Sequence, residues 1–162
     1  MRTMDQWFAE YAVSHQNQTN KAIHYVCVPA IFFSIVGLLM SIPATWLADL
    51  IDWHEPLVVH WATVALIFVL LFYIRLSIGV ALRIFLFSAL CVIGNYYIGL
   101  YAPLWLVSLL IFVVAWIGQF YGHKIEGKKP SFLKDLQFLL IGPAWVIEHF
   151  FASKHSMRRT RP

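Results

Sequence analysis

Four apolar runs separated by short polar breaks dominate the chain. Between Ala22 and Ala48 there is no Asp, Glu, Lys or Arg. About 20 such residues cross the hydrocarbon core of a bilayer as a helix. The first membrane span is therefore placed at 23–42, with Pro29 as a kink position and Pro43 as its stop. The acidic stretch Asp49–Pro56 reads as a loop, and a second span follows at 57–74. Arg75 and Arg83 bracket a Gly-containing connection to a third span at 84–100, and a fourth runs over 103–121. Tyr96, Tyr97 and Tyr101 form an aromatic belt at the far end of the third.

Two weaker elements flank these runs. Met4–Val13 sets Trp7, Phe8 and Tyr11 at helical spacing, which predicts an N-terminal amphipathic helix with its aromatics at headgroup level. Residues 136–151 are apolar but interrupted by Gly142-Pro143 and Glu148-His149, too short and broken for a span. They predict a re-entrant or interfacial helix packed beneath the bundle, followed by a basic tail at 154–162. The amide-rich stretch His15–Asn20 favours a turn, with Thr19 or Asn20 as N-cap of the first span. The expected architecture is all-α: one membrane domain over 1–162, an integral bundle of about four transmembrane helices.

Composition agrees with that pattern. Of 162 residues, 60% are hydrophobic and 12% charged, against about 25% charged in soluble domains, and the mean hydropathy is positive. The net charge of +4 matters for its placement. With the N-terminus in the cytosol, four spans put Lys21, Arg75, Arg83, Lys124, Lys128, Lys129, Lys134 and the tail arginines on the cytosolic side. The opposite loops carry no Lys or Arg, which satisfies the positive-inside rule with both termini cytosolic. No basic stripe interleaves with stacking aromatics, so no nucleic-acid partner is expected. Cys27 and Cys91 lie far apart within apolar runs and read as packing residues. Neither a cleaved signal nor a lipidation motif is expected. The short tail without a retention signal favours a bacterial inner membrane over an endoplasmic-reticulum membrane.

The topology gathers chemistry at one face. His15, His24, His123, Glu126, Glu148 and His149 all fall on the cytosolic side, whereas His54 and His60 fall on the other and read as structural. Imidazole binds borderline metals such as Fe(II) and Zn(II), and two histidines with a carboxylate leave positions open for substrate and O2. His123 and Glu126, three residues apart, share a side of a helix. His15 and His24, nine apart, do not, but the turn between them lets the first fold back beside the second. Singly, each of these groups also has a plain surface role; Glu126, for example, could pair with Lys124 or Lys128. Their joint convergence points to a metal-binding histidine cluster.

The stretch SHQNQTNKAIHYVCVP at 14–29 and the stretch WIGQFYGHKIEGKKPSFLKDLQFLLIGPAWVIE at 116–148 resemble the two signatures of a family of small membrane proteins. It is the family of the yeast 2-hydroxy fatty acid dioxygenase of phytosphingosine breakdown. The matching positions are His15, Asn20, His24 and Pro29, then Gln119, Gly122, His123, Glu126, Pro130, Gly142, Pro143 and Glu148. The resemblance implies an oxidoreductase of lipid metabolism: an Fe(II)-dependent dioxygenase that shortens a 2-hydroxy fatty acid by one carbon, fatty acid α-oxidation, with O2 and without 2-oxoglutarate. It implies His15, His24 and His123 as iron ligands, and Glu126 as a fourth ligand or as a partner that orients one. Asn20, Lys21 and Glu126 are the residues expected to act on the substrate side. Lys21, Lys124 or Lys128 would guide the carboxylate, and Glu148 is a further metal candidate. His149 stands outside the family pattern and is a metal candidate by position alone.

Other classes fit less well. A transporter would need ionisable residues near the midplane or an internal repeat, and neither is evident. Di-iron hydroxylases and desaturases need HxxxH and HxxHH clusters that this sequence lacks. A structural protein or another metal-dependent lipid enzyme remains the alternative, and neither chain length of substrate nor oligomeric state is legible.

Overall fold

A computed structural model describes residues 3–13, 15–127 and 141–147. Among them there are helices and no strand. In order they are α1 (Met4–Val13), α2 (Gln18–Met40), α3 (Thr45–Ile51), α4 (Trp61–Leu76), α5 (Ile78–Tyr101) and α6 (Leu104–Glu126), followed by a helical segment at 141–147. By length and composition α2, α5 and α6 can cross a membrane, and α4 is a shorter apolar helix of 16 residues. At 1.5 Å per residue, α4 covers about 24 Å.

The boundaries differ from the hydropathy reading for local reasons. Asn17, not Thr19 or Asn20, caps α2: its side-chain oxygen accepts from the amides of Thr19 and Asn20, so the helix begins before the apolar run does. The expected loop over Asp49–Pro56 is partly helical, because α3 occupies Thr45–Ile51 and ends on Asp52 in the left-handed region. Asp tolerates that conformation better than most residues. The α4 helix starts at Trp61 because Leu57, Val58 and Val59 are taken up in a turn closed on the Glu55 carbonyl. Its Trp61 stacks on Trp46 at 6.2 Å and donates to the Pro43 carbonyl, which fastens α3 to α4. The α4–α5 connection is Ser77 alone, in extended conformation, so Arg83 lies inside α5 rather than closing a loop. The α6 helix continues past Tyr121 to Glu126 and stops at Gly127, whose φ of 71° is a left-handed helix terminus.

His60 explains the start of α4. It is buried and extended; its Nδ1 accepts from the Thr63 amide and its Nε2 donates to the Leu57 carbonyl. That pattern needs the neutral ring. Burial holds its pKa below the ordinary 6.5, against the opposing bond to Leu57. An unfolded chain therefore takes up the proton first, so this contribution is complete above pH 6.5 and declines as pH falls below it. His60→Ala is expected to cost about 1 kcal/mol, the usual worth of an N-cap. In thermal unfolding series the gap to wild type should narrow on acidification; a gap independent of pH would count against the cap.

The most extensive packing in the bundle joins α2 to α6. Paired positions show them antiparallel: Gly122 of α6 faces Asn20 and His24, Gly118 faces Cys27, and Gly37 of α2 faces Ser108. A Cβ on Gly118 would stand 2.6 Å from Cys27 Sγ, and one on Gly122 would stand 2.5 Å from Asn20 Oδ1. Gly118 and Gly122 form a GxxxG pair, which lets two helix backbones approach closely in a membrane. Toward the other end of α2, Asn95 of α5 donates to the Phe33 carbonyl at 3.0 Å and so ties α5 to α2. The 141–147 segment is buried, with Ile141, Trp145 and Val146 against Val28 of α2 and Ala144 against Tyr73, Val80, Ala81 and Ile84 of α4 and α5. Trp7 and Phe8 of α1 are partly buried and pack on this same layer.

Candidate metal centre

Close packing of α2 and α6 delivers His24 and His123 to one place. His24 stands on the second turn of α2 and His123 on the last turn of α6, with Gly122 removing the bulk that would hold them apart. His15 precedes α2 and folds back over its first turn, its amide bonded to the Ala12 carbonyl of α1. The three rings meet edge to face: centroids are 4.3 Å apart for His15–His24, 5.0 Å for His24–His123 and 5.6 Å for His15–His123. All three are buried, and one nitrogen from each lies within 4.8 Å of the others.

Second contacts orient the cluster. His24 Nδ1 lies 2.9 Å from the Asn20 carbonyl oxygen. A carbonyl only accepts, so Nδ1 carries the proton and Nε2 is left as the donor atom for a metal. Asn20 itself is buried, and its side-chain amide donates to Glu126 Oε2 at 3.0 Å. Glu126 Oε1 accepts from the Gln16 amide at 2.8 Å, and Oε2 also accepts from the Asn17 amide at 3.0 Å. The carboxylate of α6 therefore fastens the loop that carries His15, at the positively polarised end of α2. Lys21 stands half-buried on that first turn. Trp145 of the 141–147 segment closes another side, its ring 5.9 Å from that of His15 and stacked on Tyr25 at 5.9 Å and 14°.

The donor chemistry fits a divalent metal. Three imidazole nitrogens in a buried pocket suit Zn, Fe or Ni and leave further positions open. The buried histidine triad could hold a metal ion.

A family model described as 2-hydroxy-palmitic acid dioxygenase Mpo1-like matches residues 1–154. The chain belongs to the Mpo1-like family. No curated protein and no solved structure compared with it matches. In this Mpo1-like chain the structure brings together His15, His24 and His123, with Asn20 and Glu126 bonded around them. His54 and His60 stand elsewhere, His54 exposed and bonded to Asp49, and His60 capping α4. Glu148, His149, Lys128, Lys129, Pro130, Lys134, the tail 154–162 and the rest of 136–151 lie outside the described residues. Residue-by-residue reading gave no role to Trp145 or Gly118 and named Gly122 only as a matching family position. The GxxxG spacing at 118–122 could have shown the glycines; nothing in the sequence singles out Trp145 as a neighbour of His15.

Proposed function

We propose that this chain is an integral membrane dioxygenase that shortens 2-hydroxy fatty acids by one carbon. Fe(II) would be held by His15, His24 and His123 at the cytosolic face of a bacterial inner membrane, with both termini cytosolic. The observation that carries this reading is the buried three-histidine cluster in a chain whose family is described as a dioxygenase. Bound Fe(II) supplies Lewis-acid binding of the carboxylate and 2-hydroxyl and the capacity to reduce O2. Three imidazole ligands bring no charge, so an anionic, chelating substrate complements the centre.

The remaining residues orient and shelter. Asn20 fixes the His24 tautomer and passes its amide to Glu126, and Glu126 holds the His15 loop rather than serving as a ligand. Lys21 receives the substrate carboxylate at the interface. Trp145 keeps water from the His15 side. Glu148 and His149, which directly follow the 141–147 segment in sequence, remain further metal candidates. The net conversion RCH(OH)COOH + O2 → RCOOH + CO2 + H2O balances without any external reductant, which suits a site with one metal and no other cofactor.

The test is anaerobic loading of purified protein with Fe(II), followed by air and a 2-hydroxy fatty acid. One CO2 per O2 consumed, with the acid one carbon shorter, is the expected result. Loading with iron but no such product from acids of any chain length would overturn the assigned reaction.

A further inference from the structure

The three histidines are buried, yet the substrate class proposed for them lives in the bilayer. Among the described residues, one path from the cluster to an exposed side chain runs through a pair of rings. Trp145 is 2% exposed and contacts His15; Tyr25, stacked flat on it, is 39% exposed. Val26 beside it is 70% exposed, so this side of α2 turns apolar surface outward at the depth of the cluster. Lys21 and Tyr25 are four residues apart and therefore share a helix face, the cation lying one turn nearer the helix start.

Other described sides of the cluster are packed. On the α6 side Gly122 and Gly118 lie directly against the Asn20 and Cys27 side chains of α2. Behind Trp145 lie Val28, Ile141 and Val146 with Trp7, Phe8 and Phe72 packed on them. Among the described residues, Tyr25 is an exposed ring that stacks directly on buried Trp145. Offset aromatic stacks are weak enough to open and re-form.

We infer that Tyr25 and Trp145 form a lateral gate through which a single-chain carboxylated amphiphile reaches the histidine cluster from the bilayer, with Lys21 receiving its carboxylate. The gate rests on the proposed metal centre. It orders the approach: the acyl chain lies along the apolar outer face of α2, the carboxylate meets Lys21, and parting of the two rings admits carbons 1 and 2. Two-chain lipids with bulky headgroups would be excluded by the width of one ring pair.

The test uses full-length protein loaded with Fe(II) and reconstituted in lipid nanodiscs. The rate of iron removal is followed with bathophenanthroline, which partitions into the bilayer, and with its water-soluble disulfonate. Tyr25→Ala is expected to speed removal by the lipid-soluble chelator about three- to tenfold, the factor that loss of one aromatic stack gives. Removal by the disulfonate should not change, and Tyr25→Phe, which keeps the stack, should behave as wild type. Equal acceleration with both chelators would mean general loosening and would overturn the gate, as would no acceleration with either. Wild-type protein that retains no iron would overturn the centre and the gate together. Retained iron with unaltered rates in Tyr25→Ala overturns the gate alone.

Discussion

Replacing His24 with alanine is expected to empty the centre while leaving the bundle folded. His24 commits its Nδ1 proton to the Asn20 carbonyl, which leaves Nε2 as its free nitrogen for a metal. Its ring is also the hub, within 4.3 Å of His15 and 5.0 Å of His123. Removing one of three ligands should lower metal affinity by more than about 100-fold, beyond the 10–100-fold that loss of an orienting partner causes. The fold should lose on the order of 1–2 kcal/mol, the ordinary cost of truncating a buried side chain, since Gly122 and Gly118 still seat α6 on α2. Elemental analysis of purified protein gives the first quantity and thermal unfolding the second. His54→Ala, at an exposed residue paired with Asp49, is the matched control. Metal retained by His24→Ala, or lost equally from His54→Ala, would place the site elsewhere.

That three distant histidines meet was foreseeable, because hydropathy locates the apolar runs: His24 lies in the first turn of one, and His15 and His123 lie just beyond the same end of the bundle. Apolar runs do not reveal how a helix is capped, however. The start of α2 depends on Asn17 turning its side chain onto two amides, and the start of α4 on His60 accepting from the Thr63 amide. Polar residues crowd around Asn17 and hydrophobic ones around His60, so a window average singles out neither. The one-residue connection at Ser77 is hidden for a related reason: Arg83 reads as an interfacial charge, yet its helix has already begun. Trp145 was illegible because its partners, Tyr25 and His15, lie more than a hundred residues earlier. The role open to Glu126 was undecided in sequence since two of its three partners are backbone amides, which every residue but proline carries.

Glu126→Ala is expected to weaken metal binding by about 10–100-fold, through His15 and not through a lost metal–oxygen bond. Both carboxylate oxygens already accept hydrogen bonds, from Gln16, Asn17 and Asn20, and turning one toward an ion would surrender at least one of these. Truncation leaves two amides at the start of α2 and the Asn20 side chain without their acceptor, and it frees the loop that carries His15 across from α6. Glu126→Gln keeps one acceptor oxygen but sets an amide donor against donors, so it should fall between wild type and alanine. Affinity alone cannot separate a clamp from a ligand, because both lose metal. The coordination shell can: with saturating metal, X-ray absorption should show the same nitrogen and oxygen count in wild type and in Glu126→Ala. A shell short of one oxygen in the variant would make Glu126 a ligand. The loop bonds seen here would then belong to the metal-free state, and the centre would be a three-histidine, one-carboxylate site.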